Sequence, residues 1–123
     1  FVDREEVPPA VTGFRNAIND ADTVLIGSPE YAFGVPGALK NAIDWTVSSG
    51  ELVEKPVALI TASSQGEKGH AAMLDVLSAL STKTPPSSTL LISFIKAKLN
   101  DKGEITNPEL IEQLKAVIGS LIA

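Results

Sequence analysis

Three short β-rich runs govern what this chain can become: residues 23–28 (Thr-Val-Leu-Ile-Gly-Ser), residues 56–62 (Pro-Val-Ala-Leu-Ile-Thr-Ala) and residues 89–96. The first two do not alternate between apolar and polar side chains as a strand with one wet face would. They predict strands buried on both faces, the arrangement of a parallel sheet. Parallel neighbours cannot be joined by tight hairpins and need crossover connections. The intervening segments carry helical periodicity.

Pro8-Pro9 opens the first helix, with Val11, Phe14 and Ile18 on one face and Ala10, Ala17 and Ala21 alongside, closing near Asn19-Asp20. A second helix is predicted over residues 36–49, with Leu39, Ala42, Ile43 and Val47 inward and Gly50 as its stop. A third covers residues 70–80, with Met73, Val76, Leu77 and Leu80 as its inner stripe. After a Pro-rich connection and the third strand, Asn100-Asp101-Lys102-Gly103 is turn chemistry. The last helix starts at Pro108, capped by Asn107, and buries Leu110, Leu114, Val117 and Leu121.

The order α-β-α-β-α-β-α predicts a single doubly wound α/β domain with helices on both faces and right-handed crossovers. Three strands make a thin sheet for that architecture. The chain also begins on Phe1-Val2 followed by the charged run Asp3-Arg4-Glu5-Glu6, which reads as the tail of an element and not as a signal peptide. Material before Phe1 is therefore expected.

Composition narrows the chemistry. With 44% hydrophobic and 20% charged residues, a disordered tail or a collagen-like repeat is excluded. The absence of cysteine removes thiol catalysis, Cys-based zinc sites and Fe–S ligation. A net charge of -5 shows no footprint for nucleic acid or an anionic membrane surface. No apolar run approaches the roughly 20 residues of a membrane-spanning helix.

Ligands of open α/β sheets bind outside the carboxyl ends of the strands, which nominates residues 28–35 and 63–69. In the first loop Pro29 directs the chain, Tyr31 and Phe33 stand at the strand mouth, and Gly34 and Gly37 bracket Pro36 where backbone can approach a flat ligand. The alternative is a plain turn with Tyr31 and Phe33 packed on neighbours. The second loop, Ser63-Ser64-Gln65-Gly66-Glu67-Lys68-Gly69, offers hydroxyls, an amide and glycines before a helix start, suited to an anion or a polar ring edge; a solvated turn is its alternative. His70, the single histidine, lacks partners for a zinc site and reads as a surface residue beside the cleft. Glu5-Glu6 and the Asp101/Glu104 pair fall in tails or turns, so no general acid, base or nucleophile stands out, and there is no Gly-x-Ser-x-Gly elbow.

The segment Ser28-Pro29-Glu30-Tyr31-Ala32-Phe33-Gly34-Val35-Pro36-Gly37-Ala38-Leu39-Lys40-Asn41-Ala42-Ile43-Asp44-Trp45 closely resembles the NAD(P)H-dependent FMN reductases, a flavodoxin-like family that includes quinone, azo-dye and chromate reductases. Lys55-Pro56-Val57-Ala58, the Ser63 loop and the turn Asp101-Lys102-Gly103-Glu104-Ile105 add to the resemblance, which runs over essentially the whole chain. It implies a three-layer α/β/α flavodoxin-like sheet, of which residues 1–123 are the C-terminal two-thirds, without the first two strands and first helix. The phosphate-binding loop of FMN would lie in that absent part.

The resemblance further implies that Pro29, Glu30, Tyr31, Ala32, Phe33 and Gly34 lie against the flavin ring, and that Ser63, Ser64, Gln65 and Gly66 approach its pyrimidine edge. Many members carry Asn where this chain has Ala32. Asp44 and Trp45 are read as structural or as part of a subunit contact. The implied cofactors are FMN and NAD(P)H, and the implied partner is a small-molecule electron acceptor. A cytoplasmic homodimer or homotetramer is implied, with neither nucleic acid nor membrane as partner. A flavodoxin-type electron carrier without NAD(P)H reductase activity is the alternative. A receiver-like signalling module, considered because Lys96 would end a strand, ranks far behind, since residues 23–28 end in Gly-Ser where a phosphorylatable Asp would stand.

Overall fold

The apolar runs pair side by side in parallel. The structure, a computed structural model, describes residues 6–122. The expected tail of an upstream element, with Glu5, lies outside the described residues. Among them the strands are β1 (Val24–Ser28), β2 (Val57–Ala62) and β3 (Thr89–Ile92), in the order β1-β2-β3. Register sets Val24 against Val57, Ile26 against Leu59 and Thr61 against Leu91. The helices are α1 (Pro9–Asp20), α2 (Gly37–Asp44), α3 (Glu67–Ala79) and α4 (Pro108–Ser120).

Strand alternation divides the packing. Val57 and Leu59 of β2 point, with Ile26 of β1, into a core closed by Ile18 of α1, Ile43 of α2, and Met73 and Leu77 of α3. Alternate residues point the other way, where α4 packs across β2 and β3 and buries Leu110 and Val117. Each fully buried aliphatic side chain contributes about 1.5–3 kcal/mol, so this double-sided core is the main source of stability. The Asn107 carboxamide accepts from the Leu110 N–H at 3.1 Å, the expected cap of α4. Among the described residues no helix is long and apolar enough to cross a membrane.

Several boundaries differ from the sequence reading. Only β2, the central strand, is buried on both faces; Leu25 of β1 is 49% exposed because β1 is an edge strand among the described residues. Phe14 of α1 lies at the surface. Helix α2 ends at Asp44 and not near Ser49, so the chain turns, burying Thr46 and leaving Val47 exposed. The Thr46 hydroxyl bonds back to the Ile43 carbonyl at 2.7 Å, which closes the helix in place of Gly50. Strand β3 stops at Ile92, because Phe94 takes a left-handed conformation and starts the short 3-10 helix Ile95–Lys98. Lys96 therefore ends no strand, which removes the one feature in favour of a receiver-like module.

Asp44 pairs with Lys40 one turn back, at 2.8 Å. The Trp45 carbonyl accepts from Arg15 Nε at 2.8 Å, and the guanidinium lies 5.8 Å from the indole centroid. Both residues of the Asp44-Trp45 pair thus make contacts within the chain, with Trp45 joining α2 to α1.

Candidate functional site

The carboxyl ends of β1, β2 and β3 meet in one cluster of loops. After β1, Tyr31 and Gly34 exchange backbone hydrogen bonds, N–H to carbonyl at 3.1 and 2.9 Å. This leaves Ala32 and Phe33 as the two residues of a tight turn, with φ of 49° and 62°. Two successive positive φ values are the pattern of a type I′ turn, which glycine and asparagine fill easily. Alanine and phenylalanine there cost about 1–2 kcal/mol each. The turn lifts both aromatic rings largely into solvent, Tyr31 at 64% and Phe33 at 58% exposure, so neither is buried against neighbours as a plain turn would have it. The Lys68 ammonium sits 4.5 Å from the Phe33 ring centroid.

The second loop is shorter than expected, because α3 begins at Glu67 and not near His70. Glu67 suits a first turn, where an acidic side chain meets the positive end of the helix dipole. Gly66 caps the helix at φ 99°, and a Cβ there would fall 2.8 Å from Leu91 Cδ1. Gly69 is consequently a buried helical residue.

Glu30 joins the two loops. Its Oε1 accepts from the Gly66 N–H at 3.2 Å, its Oε2 from the Gly69 N–H at 2.7 Å, and its own N–H donates to Ser63 Oγ at 3.1 Å. The start of α3 is therefore already supplied with an anion from within the chain, and these amides are not free for a ligand's phosphate. The loop after β3 completes the cluster: the Phe94 and Ile95 N–H groups donate to the Ser64 and Ser63 carbonyls at 2.9 and 3.1 Å. The Ser93 hydroxyl donates to the Gln65 carbonyl. Phe94 is left 64% exposed beside them.

Of the residues singled out from the sequence, Tyr31, Ala32, Phe33, Ser64 and Gln65 present open surface at the strand ends, while Ser63 and Gly66 are buried supports. Pro29 is exposed, and Gly34 closes the turn. Among the described residues nothing accepts from the N–H groups of Ala32, Phe33, Ser64 or Gln65. Lys68 and Phe94 were not anticipated: Lys68 reads as loop polarity, and Phe94 as strand interior. The Gly66-x-x-Gly69 spacing was the one signal for the tight approach of the loops.

His70 is not the first helical residue but lies within α3, half-buried, with Nδ1 2.6 Å from the Oγ1 of buried Thr61. Burial lowers its pKa from the ordinary 6.5, so the ring is neutral at pH 7. A folded-state pKa below the unfolded one gives stability that is present above pH 6.5 and lost as pH falls through the folded value. Urea denaturation of the native protein is expected to show that loss below pH 6.5, and His70→Gln to lack this component. Equal pH slopes in both proteins would contradict the assignment.

A polar cavity of about 440 Å³ lies at the opposite, amino ends of the strands, lined in part by Asp22, Glu51 and Lys55. Lys55 Nζ donates there to the Ala21 carbonyl at 2.6 Å and finishes α1.

Parallel β-strands with three carboxyl-end loops bound together define an open α/β protein, a class whose ligands bind at the sheet mouth. The sequence profile of the family described as "NADPH-dependent FMN reductase" matches residues 1–97, and the chain belongs to that family. It is 29% identical over 126 residues to an NADH:(hydroxy)cinnamate reductase subunit, CrdA, of Vibrio ruber, covering 98% of this chain and 62% of that protein. It is 34% identical over 121 residues to an NADPH:quinone oxidoreductase of Arabidopsis thaliana, covering 94% of this chain and 62% of the relative. Among solved structures, the flavoenzyme NAD(P)H:(acceptor) oxidoreductase FerB of Paracoccus denitrificans superposes with a TM-score of 0.75 at 24% identity, covering 95% of this chain and 68% of that one; this shows a shared fold. The chain spans about 60% of the length of the curated relatives it matches.

Proposed function

We propose that residues 1–123 form the C-terminal two-thirds of a flavodoxin-like domain, and that this part supplies the ring half of an FMN site in an NAD(P)H-dependent oxidoreductase. The observation that carries this reading is the pair of bound-together loops at the sheet mouth. They offer exposed Tyr31 and Phe33 faces beside four unpartnered N–H groups, on Ala32, Phe33, Ser64 and Gln65. Flat apolar surface next to open backbone donors suits an isoalloxazine, a planar ring with one polar edge. No anionic group would be asked of the start of α3, since Glu30 fills it.

Tyr31 and Phe33 would bear on the ring, with Pro29, Ala32 and Gly34 shaping the backbone beneath it. Ser64 and Gln65 would donate to its carbonyl edge, with Ser63 and Gly66 holding that loop in place. FMN held there would supply the redox chemistry, hydride uptake from a nicotinamide and electron delivery to a quinone, azo compound or other small acceptor. The protein's part is orientation and exclusion of water, which is why no residue is assigned as acid, base or nucleophile. A cytoplasmic homodimer or homotetramer is part of the same reading and rests on the family resemblance.

The intact protein is expected to be yellow when purified and to bleach on mixing with NADPH. Stable yellow colour without rapid bleaching would indicate a flavodoxin-type carrier, and a colourless protein that takes up no added FMN would overturn the flavin reading. Tyr31→Ala with Phe33→Ala is expected to weaken FMN binding by about tenfold, from two aromatic contacts of about 0.5–1.5 kcal/mol each. An unchanged dissociation constant would remove both rings from the site.

A further inference from the structure

Resting on the flavin reading, we propose that Glu30 is a positioning residue and not a flavin ligand: its carboxylate clamps the Ser63–Gly66 turn and the start of α3 against the Tyr31 turn, fixing the two walls of the site relative to each other. Both carboxylate oxygens face backbone donors, Gly66 N–H at 3.2 Å and Gly69 N–H at 2.7 Å. Its backbone N–H reaches Ser63 Oγ at 3.1 Å, so a single residue grips the second loop from three points. Hydrogen bonds to an ionised acceptor are about twice as strong as neutral ones, and the amino end of a helix strengthens them further.

The fit is close on the carbon side as well. A Cβ on Gly69 would lie 2.8 Å from Glu30 Cγ, 3.0 Å from Glu30 Cβ and 3.1 Å from the Gly34 carbonyl. The absence of a side chain at position 69 is thus what allows the Glu30 side chain and the base of the turn to lie against the helix. The two aromatic rings, the open Ala32 and Phe33 amides, and the open Ser64 and Gln65 amides sit on opposite sides of this clamp. A planar ligand touching both sets needs their separation held to within fractions of an ångström.

The test compares the intact protein with Glu30→Gln and Glu30→Ala. Gln keeps the volume, and its amide oxygen can accept from one N–H while its amide nitrogen cannot accept from the other. Two readouts are taken: amide hydrogen exchange at Gly66 and Gly69 without FMN, and FMN affinity by titration of flavin absorbance and fluorescence. The expected result is faster exchange at these amides in the order native, Gln, Ala, with FMN binding weakened about tenfold or more in Ala and partly rescued in Gln. Unchanged exchange in both variants would overturn the clamp. Faster exchange with unchanged FMN affinity and an unchanged bound-flavin spectrum would overturn the positioning role. Native protein that binds no FMN would overturn the flavin reading and this role with it, a result separable from the others because it precedes any variant. Should Ala not fold, the Gln variant decides by the same two measurements.

Discussion

Gly69→Ala is expected to destabilise the protein by about 1–3 kcal/mol in urea denaturation, the usual cost of forcing extra volume into a packed site. The direction is opposite to what helix propensity predicts, since alanine in a helix interior is favoured over glycine by about 1 kcal/mol. Packing overrides propensity because the new methyl would meet Glu30 Cγ at 2.8 Å and, at 3.1 Å, the carbonyl of Gly34, a backbone atom that cannot rotate aside. Gly119 on α4 is the natural control, since a Cβ there would meet nothing within 4 Å. Gly119→Ala is expected to be neutral or mildly stabilising, and a matching loss at both positions would show that the Glu30 contact is not the cause.

Leu59→Ala is expected to be the most damaging aliphatic truncation, costing about 2–5 kcal/mol by loss of buried surface and the cavity left behind. Leu59 has no exposed surface, lies on the central strand, and faces the core shared by α1, α2 and α3. Its neighbours cannot collapse into the gap, because β2 is held by β1 on one side and β3 on the other. Leu25→Ala on the edge strand, already half-exposed, should cost far less. Similar midpoints for the two variants would mean that the core is not centred on β2.

The layered architecture could be read from the chain because its signals are local. Uninterrupted runs such as residues 56–62 and the stripe Met73, Val76, Leu77 and Leu80 need only neighbours along the chain to declare strand and helix. What could not be read were features set by distant partners. Helix α3 gains its first turn because Glu30, more than 30 residues away in sequence, satisfies the amides of Gly66 and Gly69. Strand β3 stops early because the amides of Phe94 and Ile95 are taken by Ser64 and Ser63. The motif around Pro29, Glu30 and Tyr31 pointed to the loop after β1, and the structure places that loop at the carboxyl ends of the strands. It did not reveal that the Glu30 carboxylate is turned toward the backbone of the next loop, since nothing local distinguishes a ligand-facing carboxylate from a loop-binding one.

The turn at Ala32 and Phe33 bears on how this site can vary. Both residues hold a left-handed backbone without glycine's freedom, so the conformation is imposed by the Tyr31–Gly34 pairing. The alphabet open to position 32 is then set first by the turn: Gly, Asn and Asp enter without strain, Ala at some cost, and β-branched residues hardly at all. The Asn that the family resemblance implies at this place would have a backbone reason that precedes any contact with a ligand. Change at position 32 is filtered for shape before it is filtered for chemistry, whereas Phe33, whose ring stands in solvent, holds a side chain that the turn itself does nothing to favour.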